Sequence, residues 1–258
     1  MVEPNLNELL VIQHLYKSFG GIHAIQDFSL EVHAGELVGI IGPNGAGKTA
    51  LLNTITGFYR ASAGQVFFDQ TEITNASIHD IALLGVGRTF QNIRLFKRMS
   101  VLENVMVARK HFFRRPFLQL FNRAEHEAQL ERAMQCLAML NLTDKVNRSA
   151  ASLSYGEARR LEIARALTGE PKILLLDEPA AGMNETETNE LIEDIQLIRS
   201  KVSSIVLIEH DMNLIRALSD RVVAMDFGLK ICEGPAHEVL SHPEVMSAYL
   251  GEDQDEVV

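Results

Sequence analysis

Eight consecutive residues, Gly42-Pro43-Asn44-Gly45-Ala46-Gly47-Lys48-Thr49, have the chemistry to hold a chain of phosphates. They fit G-x-x-x-x-G-K-[ST], whose glycines let the backbone curl until successive N–H groups point inward at phosphate oxygens. The apolar run 37–41 before them reads as a buried strand, and 49–55 reads as the start of a helix. The positive end of that helix dipole would join the amides. In such a loop Lys48 reaches the β- and γ-phosphates and the Thr49 hydroxyl holds Mg²⁺. A second apolar run, Ile173-Leu174-Leu175-Leu176, ends in Asp177 and Glu178. Carboxylates at the C-terminal end of a parallel strand sit where such sheets bind ligands. Asp177 suits a water-mediated contact to Mg²⁺, and Glu178 suits accepting the proton of an attacking water. By itself this run reads as a strand ending at a polar loop; the phosphate loop gives it a task. In Leu153-Ser154-Tyr155-Gly156-Glu157, Ser154 and Glu157 have capping-box spacing. The free N–H groups and hydroxyl of such a helix start also suit a γ-phosphate.

These groups need elements to hold them. Residues 9–75 carry short strand signals broken by Gly and Asn/Asp turns. Residues 98–170 read as helical, with Leu130, Ala133, Met134, Leu137 and Leu140 on one face. From 171 to 226 the pattern alternates: strand 172–177, helix 184–201, strand 203–209. Both strands are near-continuous apolar runs, as a parallel sheet covered on both faces requires. Asn184 and Glu187 repeat the capping spacing. After Arg221 the chain reads as a hairpin turning at Phe227-Gly228, then a short helix.

The chain has 258 residues, 47% of them hydrophobic, and a formal net charge of −10. That is an ordinary globular composition with room for a well-buried core. The negative charge argues against a broad nucleic-acid surface. No run approaches the ~18 apolar residues of a membrane span, and the N-terminus lacks the features of a signal peptide. A cytosolic protein is expected. Cys136 and Cys232 fit no metal spacing and read as reduced thiols.

The motifs together resemble the nucleotide-binding subunit of an ABC transporter. Gly42–Thr49 resembles its Walker A motif, 173–178 its Walker B and 153–157 its signature. Arg88-Thr89-Phe90-Gln91 resembles the Q-loop and Ile208-Glu209-His210-Asp211 the switch segment, all in the family's order. Phe19, in Phe19-Gly20-Gly21, falls where the family keeps an aromatic that stacks on adenine. The resemblance implies ATP and Mg²⁺ as ligands, with Gln91 contacting both metal and water, and His210 contacting the γ-phosphate. Tyr155 stands in place of a signature glycine, Asn184 in place of an aspartate, and Ala50 where Thr or Ser is common.

A narrower resemblance, carried by 56–59, 87–96, 103–105, 160–165, 179–184 and Ala248-Tyr249-Leu250-Gly251, points to importers of branched-chain and hydrophobic amino acids. It implies a RecA-like α/β P-loop NTPase core with an antiparallel β-subdomain and an inserted helical subdomain. One domain is expected over 7–250, the helical part at about 98–170, with a tail at 251–258. Two such subunits would sandwich two ATP molecules, each site completed by Ser154 and Gly156 of the other copy. Partners would be a second ATP-binding subunit, membrane permeases and, indirectly, a substrate-binding protein, but no nucleic acid. The protein would lie on the inner face of the cell membrane. The competing readings are a urea or amide importer, a lipid exporter, and a soluble non-transport ATPase of the same family. Ile93, Leu95, Phe96 and part of the Phe-rich segment 112–121 are expected to line a permease-docking groove. Asp226-Phe227-Gly228 lacks the catalytic loop that would make it a kinase motif, and Arg114-Arg115 reads as solvated charge.

Overall fold

The described residues of the computed structural model are 8–108 and 123–255; the Phe-rich segment 112–121 lies outside them. Strands β1 (Glu8–Phe19) and β2 (Ile22–His33) form a long hairpin. Strand β3 (Leu37–Ile41) leads through the phosphate loop into helix α1 (Lys48–Ile55). Strands β4 (Ala63–Phe68) and β5 (Thr71–Glu72) are followed by helix α2 (Ile78–Leu84) and strand β6 (Val86–Arg88). Then come helices α3 (Val101–Met106), α4 (Arg123–Met139) and α5 (Tyr155–Thr168). Strand β7 (Ile173–Asp177), helix α6 (Glu185–Arg199), strand β8 (Ser204–Ile208) and helix α7 (Met212–Leu218) alternate. The chain closes with β9 (Arg221–Asp226), β10 (Leu229–Gly234), α8 (Ala236–Val239) and α9 (Pro243–Asp255). Helix α9 runs on into the stretch 251–258 expected as a tail.

One sheet is antiparallel, in the order β2-β1-β4-β5. The other has the order β10-β9-β3-β8-β7-β6 and is parallel except for β10 at its edge. The first two strands are longer than the sequence suggested. His14 and Asp27 take left-handed φ values of 46° and 48° near irregularities in their pairing, which hide the strand period.

The parallel strands are buried on both faces, as their apolar runs required. In β7, Leu174 and Leu176 join the core under the helices, with Val101, Leu137 and Leu161. Ile173 and Leu175 join the core facing the antiparallel sheet, with Phe28, Phe68 and Leu52. The expected α4 face is buried at Ala133 and Leu137, and Leu140 follows just after the helix. Helices α5 and α6 both begin with capping boxes, Ser154 with Glu157 and Asn184 with Glu187. The closing hairpin turns at Phe227 and Gly228, at φ 44° and 79°.

Candidate functional site

Strands β3, β8, β7 and β6 lie side by side and parallel, so their C-terminal ends share one edge. In spatial order that edge delivers the phosphate loop, His210, the pair Asp177/Glu178, and Gln91. Backbone bonds knit the exits together. Glu178 N–H donates to Ile208 O at 2.9 Å, Glu209 N–H to Ile40 O at 3.3 Å, and Thr89 N–H to Leu175 O at 3.0 Å.

The loop is wedged between β9 and β2, and two of its glycines are sterically required. A Cβ on Gly42 would lie 2.2 Å from Met225 O, and one on Gly47 would lie 2.3 Å from Ala24 O. Asn44 and Gly45 are exposed at the tip, while Pro43 and Ala46 are buried. The Ala46 carbonyl accepts Gly228 N–H at 2.9 Å, which fastens the closing hairpin to the loop. Lys48 is buried, and its ammonium donates to Gly42 O at 2.5 Å and Pro43 O at 2.9 Å. Thr49 is exposed on the first turn of α1.

Asp177 is 1% exposed, and its Oδ2 accepts Arg88 Nη2 at 2.8 Å. Arg88 is fixed in turn by Asn53 Oδ1 at 2.8 Å and Thr56 Oγ1 at 2.9 Å. Burial pushes the Asp177 carboxyl above its ordinary value, Arg88 opposes that, Glu178 adds to it, and Lys48 opposes it. The other oxygen, Oδ1, is buried without a hydrogen-bond partner. An orphaned carboxylate oxygen next to a hydroxyl-bearing phosphate loop fits a hydrated divalent cation, because a metal-bound water would satisfy it.

Glu178 follows with φ 45°, a left-handed conformation that costs a residue with a Cβ about 1–2 kcal/mol. Its Oε2 accepts Gln91 Nε2 at 2.6 Å, so two of the three expected catalytic side chains meet. His210 is exposed at the end of β8, with Nδ1 3.9 Å from Glu209 Oε2. Glu209, which sequence reasoning passed over, is fully buried. It accepts Ala180 N–H at 2.7 Å and His210 N–H at 3.1 Å, and burial raises its pKa. It therefore orders both the turn after Glu178 and the backbone of His210. Its signal was an acid between an apolar run and a histidine.

Phe19 stands 43% exposed at the tip of the β1–β2 hairpin. Tyr59 meets it edge-on, with ring centroids 5.0 Å apart, and Lys17 Nζ lies 4.4 Å from its ring. Neither neighbour was legible from spacing. An exposed ring, backed by a second ring and a cation, offers a flat face to a base.

Ser154 and Gly156 lie elsewhere. Ser154 is exposed, and its Oγ accepts Glu157 N–H at 3.3 Å. Both residues border a separate cavity of about 190 Å³ with Met183, Glu187 and Glu190. Helix α5 nevertheless reaches the strand-end row from its other side. Arg159 is fully buried and donates to Phe90 O at 2.6 Å, Gln91 O at 2.7 Å and Glu162 at 2.9 Å. The helix that begins at Ser154 thus grips the backbone of Gln91. A buried Arg-x-x-Glu pair was the missed signal.

A family model described as "ABC transporter" matches residues 25–181. The chain belongs to that family. It is the family's ATP-binding, ATP-hydrolysing subunit, and its structure has the α/β cassette fold. A second model, "Branched-chain amino acid ATP-binding cassette transporter", matches 230–255. The high-affinity branched-chain amino acid transport ATP-binding protein BraF of Pseudomonas aeruginosa is 43% identical, covering 95% of this cassette and 98% of the relative. The protein LivG of Escherichia coli, of the same description, is 41% identical with the same coverage. A solved cassette of an ABC transporter in its ADP conformation superposes with TM-score 0.83 at 31% identity, over 95% of this chain and 99% of that one. A dimeric cassette solved in a post-hydrolysis state with ADP and Pi superposes with TM-score 0.75 at 26% identity, over 88% and 99%.

Proposed function

We propose that this cassette hydrolyses ATP to drive the import of branched-chain or other hydrophobic amino acids. The observation that carries the site assignment is the row of strand ends, where Gly42–Thr49, Asp177, Glu178 and Gln91 converge. The substrate class rests on relatives above 40% identity along nearly the whole chain, and on the C-terminal match.

In this reading the loop amides of 44–47 and Lys48 hold the β- and γ-phosphates, and Phe19 with Tyr59 stacks the adenine. Thr49, Asp177 through water, and Gln91 hold Mg²⁺, which when bound neutralises charge on the phosphate oxygens. Glu178 accepts the proton of the attacking water, which Gln91 orients. His210 contacts the γ-phosphate, and the displacement is in line. A second cassette supplies Ser154 and Gly156.

Among the described residues no helix is long and apolar enough to cross a membrane. In this reading permease subunits form the transport path, with the cassette on the inner face of the membrane. A groove of about 660 Å³ between α2, the segment after Gln91 and the end of α5 suits a permease segment. Phe90 and Phe96 line it, and Phe96 is 48% exposed. Leu95, expected there, packs against the core under the helices instead.

Deleting the chain in its host should abolish uptake of labelled leucine at low external concentration. Wild type, but not Glu178→Gln, should restore it. Intact leucine uptake alongside lost urea uptake would overturn the amino-acid reading and leave the ATPase untouched.

A further inference from the structure

Tyr249 lies on α9, far along the chain from the phosphate loop, in a segment to which the proposed chemistry assigns nothing. Its hydroxyl accepts a hydrogen bond from Gly42 N–H at 2.8 Å. Gly42 is the first residue of the loop and is buried, and Met225 O occupies the space a Cβ would need there. Its carbonyl accepts the ammonium of Lys48. One residue therefore carries the C-terminal helix on its N–H and the phosphate-binding lysine on its C=O. A buried amide left without a partner is costly, so the Tyr249 hydroxyl is a structural requirement of this loop conformation. The helix that presents it is held by the buried Val245 and by Tyr249 itself, which packs against the core under the helices, while Met246 is half exposed.

We propose that Tyr249 is a positioning residue for nucleotide binding. Its hydroxyl pins the first residue of the phosphate loop, so that the docking of the C-terminal helix sets how tightly the loop holds phosphates. This rests on the loop being the nucleotide site. Tyr249→Phe removes the acceptor and keeps the ring that packs against the core.

The test uses the full-length protein, with three readouts. Hydrogen exchange is followed without nucleotide, MgADP affinity by calorimetry, and hydrolysis as kcat and KM. In Tyr249→Phe, peptides covering 41–48 should exchange about tenfold faster, while those covering β7 stay unchanged. MgADP should bind roughly three- to tenfold more weakly, and KM for ATP should rise by a similar factor with kcat within about twofold. Met246→Ala, on the exposed side of the same helix, should match wild type in all three. Wild-type exchange and affinity in Tyr249→Phe would overturn the proposal. So would equal acceleration in β7, which would mean general loosening. Failure of the wild-type protein itself to bind MgADP would instead remove the nucleotide reading on which the proposal stands.

Discussion

At the C-terminal edge of the large sheet the functional groups bond to one another. Gln91 meets Glu178, Arg88 meets Asp177, and Lys48 rests on carbonyls of its own loop. At the start of α5 the groups bond to their own helix end: Ser154 and Glu157 cap each other, and Lys145 pairs with Glu157. The first region is assembled by topology, since four adjacent strand ends bring it together within one chain. The second has a satisfied backbone and a hydroxyl left at the surface. Under the proposed function, the difference separates the half of the site that one chain completes from the half, at Ser154 and Gly156, that would serve another copy. Arg159 is the mechanical link between them, because it ties the helix behind Ser154 to the carbonyl of Gln91.

Breaking the pre-assembled half should have the largest effect. Glu178→Gln should lower kcat by about 10²- to 10⁴-fold, the range for a lost general base. ATP binding should persist, and an ATP-bound dimer should accumulate on a sizing column. Near-normal turnover would remove Glu178 from the chemistry and leave the row of strand ends without its centre.

Arg88→Ala probes the stability of the same half. It leaves the carboxylate of Asp177 buried without its cation, a change that costs about 3–5 kcal/mol and should lower the melting midpoint by roughly 10 °C. Ser154→Ala, at the exposed half, removes only a cap and should cost about 1 kcal/mol. Equal melting losses in the two variants would erase the contrast between the regions.

At the rim the effect is read in nucleotide binding alone. Base–aromatic stacking is worth ~1–3 kcal/mol, so Phe19→Ala should weaken ATP binding by about tenfold or more. An unchanged dissociation constant would put the adenine elsewhere.

Local spacing carried much of this. The phosphate loop, the apolar strands with acids at their ends, the capping boxes at Ser154 and Asn184, and the turn at Phe227 all follow from residues close together in the chain. Partner choice over long distances was not legible. Nothing in Val86-Gly87-Arg88 says that the arginine will pair with Asp177, because strand order decides that. Arg159 beside Arg160 reads as a charged helix face, yet one is fully buried against the Gln91 backbone while the other reaches Asp194 and Glu190. Tyr249 meets Gly42 only once α9 has packed against the core. Leu95 looked like surface for docking because an apolar residue in a loop carries no sign of which way it turns.

The central claim is that a working site joins one cassette's strand-end row to the other's signature. It is tested most directly by mixing two inactive variants, Lys48→Ala and Ser154→Arg. In a mixed dimer, one of the two sites would combine an intact phosphate loop with an intact Ser154. Hydrolysis should therefore return in the mixture, in proportion to the mixed dimers formed. Mixed dimers detected by cross-linking, with no ATP hydrolysis above either variant alone, would contradict the account.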